Sequence, residues 1–419
     1  MRSPSRWSPR PQAYPRPPPT GAAGRFGAAG RWPAAVLAAC LAVALPAAQA
    51  QEKLRIGFLS TLTGPISGLA VDLQNGFQLG LKQAGGRLGG LETELIVADD
   101  QQNPDAGKQA FDKLVKKDRV HIVTGTLFTN VMNAIAPIAF REKVFFINAN
   151  NGPAPFAGEQ CNPFYFNVAW QGETPAEAMG KYASDKGLKN VYVVAPNFPA
   201  GPANVAGFKR YYKGGIAGET FVKLGQLDFS VELGQIRSAK PDAVYVYLFG
   251  GMAVNFIKQF HQAGLTKETQ LIGGGFGFDD DTIRGVGDAL VGSLNAWWWN
   301  RDFDNPQNRK FVADYLAEYK QPASLFAAQG YDAAMLIDAA VRAAGGKLGD
   351  KEALRKAFAT APFKSVRGDF KFGANQNPVM TYYLRQVVKD AQGNIVNKTI
   401  GPLLPNHADA YGSTCKMLS

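Results

Sequence analysis

Leu54-Arg55-Ile56-Gly57-Phe58-Leu59 is a short β-rich run, followed by the turn residues Thr63-Gly64-Pro65 and a helical stretch from about Val71 to Gln83. This β-loop-α unit sets the reading of the chain around it. Glu94 to Ala98 reads as a second strand leading to Asn103-Pro104, an N-cap with proline at the first helical position. Ala106, Ala110, Leu114 and Val115 then fall on one helical face. Val120 to Val123 is a third strand that meets Gly125-Thr126-Leu127-Phe128-Thr129, a helix follows through Met132, Ile135, Ala136 and Ala139, and Val144 to Ile147 is a fourth strand. Strands separated by helices of ten to fifteen residues imply parallel crossover units. Their continuous apolar character implies a sheet covered on both faces.

The pattern then restarts. Thr174-Pro175-Ala176-Glu177 reads as a capping box, Val191 to Ala195 as a strand, and a helix runs through Val205 and Phe208. Phe221 is taken to start a further strand-helix unit. Ala243 to Phe249 is an apolar strand, Met252 to Ala263 a helix, and Gln270 to Ile272 and Val291 to Trp299 are strands. Asn305-Pro306 caps a helix to about Tyr319, and helices follow at Phe326 to Ala344 and Lys351 to Phe358. The chain ends in β-rich runs at Asp369 to Phe372, Thr381 to Val388 and Ile395 to Ile400.

Upstream, Ala34 to Leu45 is apolar for only about a dozen residues, too short to span a bilayer. Pro46 breaks it, and Ala48-Gln49-Ala50 is a small-x-small site, so residues 1–50 read as a cleavable export signal. Leu37-Ala38-Ala39-Cys40 resembles a lipoprotein box, which keeps lipid anchoring at Cys40 as a minor alternative to release into the periplasm. The leader also carries most of the basicity. Arg2, Arg6, Arg10, Arg16, Arg25 and Arg31 lie in it with no acid, so the formal charge of +11 falls to +5 over what remains. A nucleic-acid-binding class loses its main support. The remaining 369 residues exceed one ordinary core, and 46% apolar with 19% charged residues excludes disorder and collagen-like repeats. Only Cys161 and Cys415 survive cleavage. In an oxidising compartment one disulfide is the simplest reading, two unpaired buried thiols the alternative.

Ile56-Gly57, Thr63-Gly64-Pro65, Gly76, Gly85-Gly86, Asp99-Asp100, Asn103-Pro104 and Gly125, with Gln329-Gly330-Tyr331-Asp332-Ala333-Ala334 later, resemble the branched-chain amino-acid-binding family of periplasmic proteins serving ABC importers. The resemblance covers essentially the whole mature chain. It implies an α/β protein, a type I periplasmic binding protein with two doubly wound parallel-sheet lobes joined by three crossing strands. One lobe would take residues 51–168 and 301–376, the other 169–300 and 377–419. It also implies a monomer that binds a small molecule in the cleft without a cofactor and passes it to an inner-membrane permease with its ATPase subunits.

By the same resemblance, the ligand carboxylate meets Thr129, with Leu127 and Phe128 beside it; the competing role for Thr129 is a plain helix cap. A helix N-terminus suits a carboxylate. The second carboxylate-contacting segment falls on Asn150, Asn151 and Gly152, with glycine where the family has threonine. The two cleft tyrosines of the family fall on Ala200, beside Phe198, and near Phe249. Leu69 matches a position that closes over the ligand side chain. The acid that holds an amino-acid ammonium matches Gly275, next to Phe276, and a buried ammonium without an anion costs several kcal/mol. Asp279, Asp280 and Asp281 are close enough in sequence to substitute, but three acids together also read as a solvated helix start. Trp297-Trp298-Trp299 and Trp170 fall where crossing strands are expected.

An aromatic cleft without an ammonium partner points to an organic acid, plausibly an aromatic carboxylate, with a branched-chain or other amino acid as the alternative. A ligand-sensing receptor would share the fold and cleft. A hydrolase has thin support: His121, His261 and His407 are dispersed, no metal-ligand spacing is present, and neither a G-x-S-x-G elbow nor a Walker loop occurs.

Overall fold

The computed structural model describes residues 52–417. The stretch read as an export signal, the cleavage site expected at its end and Cys40 lie outside the described residues. Expected first strand and helix form as β1 (Leu54–Ser60) and α1 (Ser67–Gln83), followed by β2 (Thr93–Asp99), α2 (Pro104–Asp112), β3 (Ile122–Thr124), α3 (Thr129–Arg141) and β4 (Phe145–Asn148). A short α4 (Ala154–Ala157) and β5 (Tyr165–Asn167) complete the first unit. Strand order is β2-β1-β3-β4-β5, parallel throughout. Asn103 caps α2 as expected, its side-chain oxygen accepting from the amides of Asp105 and Ala106.

The second unit contains α5 (Thr174–Asp185), β6 (Asn190–Pro196), α6 (Ala200–Tyr211), β7 (Gly215–Val222), α7 (Ser230–Ala239), β8 (Ala243–Val246) and α8 (Gly250–Gln262). It continues through β9 (Gln270–Gly274), α9 (Asp280–Val286) and β10 (Leu294–Trp297). Then come α10 (Pro306–Tyr319), α11 (Leu325–Ala343), α12 (Lys351–Thr360), β11 (Lys371–Phe372), β12 (Pro378–Lys389) and β13 (Ile395–His407). The second sheet runs β11-β12-β10-β9-β8-β6-β7, parallel from β10 to β7 and antiparallel where β12 meets β10 and β13. It is thus mixed, a parallel core with an antiparallel edge.

Helix α11 returns to the first unit. Gly76 and Gly330 let it touch α1 backbone to backbone: a Cβ on Gly76 would lie 1.9 Å from the Ala327 carbonyl oxygen, and one on Gly330 1.9 Å from that of Leu73. Phe358 of α12 packs its ring 5.1 Å from Phe145 and 5.3 Å from Phe166.

Several boundaries differ from the sequence reading. Strand β7 begins at Gly215, so Phe221 lies near its end. Strands β8 and β10 are shorter than their apolar runs, which continue past the sheet into the residues described below. β5 was not expected; three residues between Asn162 and Val168 carry too little periodicity. The capping box at Thr174 does not form. Glu173 occupies the N-cap without a side-chain cap, Thr174 donates to the Gln171 carbonyl at 2.7 Å, and Glu177 pairs with Arg210 and His407. Burial of Glu177 against Arg210 and His407 outweighs the local cap. The two cysteines are joined, Cys161 to Cys415, with Cα atoms 5.6 Å apart.

Candidate functional site

In both sheets the strand order reverses beside a central strand, between β1 and β3 in one and between β6 and β8 in the other. Side helices leave in opposite directions at such a point and open a crevice at the strand C-termini. The residues that follow β3, β4, β6 and β8 are therefore the ones placed to line it. They do, joined by Leu69 of α1, Trp170 after β5, Phe276 after β9 and Phe326 of α11: with Leu127, Phe128, Thr129, Asn150, Asn151, Phe198, Tyr247 and Phe249 these enclose about 380 Å³ of unfilled space, part of it open to solvent.

The loop after β3 is shaped by Gly125, whose φ is +93° and on which a Cβ would lie 2.9 Å from the Phe58 ring. Phe128 occupies the N-cap of α3 and no side chain caps that helix. Thr129 is the first helical residue, so its hydroxyl is not the cap. The amides of its first turn have no intrahelical acceptor. Asn150 donates from Nδ2 to the Leu127 carbonyl at 2.8 Å. Asn151 donates to the carbonyls of Thr126 and Leu127, each at 3.3 Å. Both carboxamides thus brace the Thr129 loop, a structural task that sequence matching did not reveal.

The walls are aromatic. Phe128 from the first unit meets Phe198 and Phe249 from the second at ring separations of 6.4 and 6.0 Å, and those two lie 5.9 Å apart. Phe276 lies 5.0 Å from Trp170, 4.6 Å from Trp297, 5.7 Å from Tyr247 and 6.2 Å from Phe326. Edge-to-face pairs of this kind add about 0.5–1.5 kcal/mol beyond burial.

Gly152 and Ala200 line an adjoining outer space of about 650 Å³, together with Asn133, Gln171 and Pro199. A side chain at Gly152 is impossible as the loop stands, since its Cβ would lie 2.0 Å from the Trp170 carbonyl oxygen. Gly275 does not line either space. Its Cβ would meet the Trp297 ring at 2.6 Å and Arg385 Nη2 at 2.9 Å, so no acid fits there.

The three acids do not replace it. Asp279 is buried and caps α9, accepting from the Thr282 amide at 2.7 Å. Asp280 pairs with Arg301 at 2.6 Å in a separate surface groove. The solvated-start reading fails for Asp279, because the β9–α9 turn folds inward over Gly277, whose Cβ would sit 2.8 Å from the Leu248 carbonyl oxygen. Among the described residues, no acidic one lines the inner chamber.

Trp170, Tyr247 and Phe326 complete the lining and were not singled out as site residues. Tyr247 had a legible signal, two positions before Phe249 on the end of a strand. Phe326 had none, because α11 reaches the crevice only through its packing on α1. Trp297 packs behind Phe276 and does not line the chamber, and Trp298 turns to Arg367.

Residues 53–393 match the family described as periplasmic binding protein. A solute-binding protein of an ABC transporter from R. palustris, solved in complex with benzoate, is 32% identical, covers 87% of this chain and 100% of its own, and superposes with a TM-score of 0.82. Another from Rhodopseudomonas palustris BisB5, in complex with 3,4-dihydroxybenzoic acid, is 28% identical over 85% of this chain and 99% of its own, with a TM-score of 0.81. Leu/Ile/Val-binding protein homolog 6 of Brucella melitensis is 26% identical over 361 residues, 83% of this chain and 91% of that one.

Proposed function

Because the chain belongs to the periplasmic binding protein family, we propose that it is the solute-binding component of an ABC import system and that its ligand is an aromatic carboxylate. The observation that carries the ligand class is the inner chamber: seven apolar side chains, five of them phenylalanine, and no acid to hold an ammonium. A desolvated amino-acid ammonium there would go without an anion, at a cost of several kcal/mol. An aryl ring instead meets ring edges and faces on every side. Its carboxylate is taken by the open first turn of α3 and the Thr129 hydroxyl.

The lobes are residues 51–168 with 301–376 and residues 169–300 with 377–419, closing on the ligand through the three chain crossings. Residues 1–50 direct export to the periplasm, and the bound acid leaves unchanged for a membrane permease. The ligand-contacting set comprises Leu69, Leu127, Phe128, Thr129, Phe198, Phe249 and Phe276, extended by Trp170, Tyr247 and Phe326. Binding by relatives supports the class: the R. palustris proteins carry benzoate and 3,4-dihydroxybenzoic acid.

Calorimetric titration of the purified protein with benzoate, 4-hydroxybenzoate, 3-phenylpropanoate and leucine tests this. Micromolar or tighter binding of at least one aryl acid with leucine silent is expected. Micromolar leucine binding with no aryl acid bound would reject the ligand class.

A further inference from the structure

Four residues line both the inner chamber and the outer space: Thr129, Asn151, Trp170 and Tyr247. All four carry polar groups, whereas the remaining lining of the inner chamber is apolar except for Asn150. The cavity is therefore an aromatic blind end closed by a polar collar. This gives the ligand a direction, ring inward and carboxylate at the collar. Asn151 spends its amide on the carbonyls of Thr126 and Leu127. The Trp170 ring is buried with its Nε1–H unpaired, and the loop carrying it is pinned by Asn167, which donates to the Trp170 carbonyl at 2.7 Å.

Tyr247 faces this collar from the second unit. It leaves β8 where the strand ends, its ring fixed 6.0 Å from Phe249 and 5.7 Å from Phe276. Only 8% of it is exposed, yet its hydroxyl has no hydrogen-bond partner among the described residues. That hydroxyl is not sealed in the core, so solvent reaches it until a ligand arrives to accept from it. We propose that Tyr247 is a specificity-determining residue whose hydroxyl donates to the ligand carboxylate from the side opposite Thr129, so that an aryl acid draws the two units together through its head group. Burial pushes the phenol above its ordinary range, so it stays protonated and able to donate at any physiological pH.

This inference rests on the aromatic-acid reading, and the test separates the two. Wild type and Tyr247→Phe are titrated with benzoate, 4-hydroxybenzoate and 3-phenylpropanoate at neutral pH, and the ligand-free melting midpoints are compared. Removing one hydrogen bond to a charged group should weaken the best-bound acid roughly 10- to 100-fold, with the ligand-free midpoint unchanged because the ring remains. Tyr247→Phe binding within twofold of wild type would overturn the role of Tyr247 while leaving the aromatic-acid reading standing. An affinity loss accompanied by a fall of several degrees in the ligand-free midpoint would assign the residue to packing and overturn it equally. A wild type that binds none of the three acids would overturn both.

Discussion

Arg367 and Asp332 form an ion pair at 2.9 Å with both side chains almost wholly buried, at the place where the chain crosses between the two units. The guanidinium lies over the rings of Trp298 and Phe370 at 4.4 and 4.6 Å and donates to the carbonyls of Val168, at 2.5 Å, and Ala169, at 3.1 Å. Asp332 also accepts from the Ser365 hydroxyl and the Val366 amide. One arginine thus gathers two crossing segments, and Asp332 of the Gln329–Ala334 motif belongs to that crossing, not to the ligand chamber. Removing one partner strands the other in a dry site. Arg367→Met is expected to lower the unfolding free energy by about 3–5 kcal/mol, read from urea denaturation. A change below 1 kcal/mol would count against a structural role for the pair.

The disulfide joins a loop of the first unit to a tail that packs on the second. Cys161 follows α4, while Tyr411, four residues before Cys415, donates to Glu173 at 2.6 Å beside the Arg210–Glu173 ion pair. With a sequence separation of 254 between the cysteines, the chain-entropy model gives about 5 kcal/mol as an upper figure. Cys161→Ser with Cys415→Ser should therefore lower the melting midpoint by several degrees. Reductant should lower the wild-type midpoint similarly and leave the double variant unmoved. Denatured, unreduced wild type should show no free thiol from these two positions.

Asp279 makes stability depend on pH. Burial pushes its carboxyl up to about 7, with Asp280 and Asp72 adding repulsion. The native chain then keeps a proton that the unfolded chain releases, so this group's contribution falls as pH rises from about 4 to about 7 and is gone above that. Asp279→Asn retains the acceptor for the Thr282 amide without the charge. It is expected to flatten the profile and to raise stability at pH 8 by on the order of 2–4 kcal/mol. Parallel profiles for variant and wild type in urea titrations at pH 5 and 8 would refute this.

The contact of α1 with α11 depends on two missing side chains. Gly330→Ala would drive a Cβ into the Leu73 carbonyl oxygen. Separating two packed helices should cost about 2–3 kcal/mol, measured by thermal or urea unfolding.

Much of the site could be read in advance because it sits at chain positions that secondary structure dictates. Leu127, Phe128 and Thr129 follow β3, Phe198 follows β6, and Phe249 follows β8, so the family resemblance laid on the strands located them. Gly275 was misplaced for the same reason that strand ends are hard to read: the 3₁₀ turn after β9 points its Cα toward Trp297 and Arg385, and one residue of register moves a side chain from the crevice to the wall behind it. Asp279 was read as solvated because three consecutive acids carry no mark of the inward turn that buries the first.

The amino-acid sequence alone determined the alternation of strands and helices, the two-unit α/β architecture, the pairing of Cys161 with Cys415 as the simplest use of two thiols, and the aromatic, acid-poor character of the crevice. The alternation, the two-unit pattern and the thiol count follow from periodicity, turn chemistry and composition, which are local, while the character of the crevice followed from the resemblance to the periplasmic binding family. Only the tertiary structure decided which aromatic residues share one wall, that Phe326 arrives from a helix almost two hundred residues away from Thr129 in sequence, that Arg367 closes on Asp332, and that the Tyr247 hydroxyl is left facing the collar unpaired. Those outcomes depend on how helices seat against sheets, and close packing at Gly76 and Gly330 is what sets that seating.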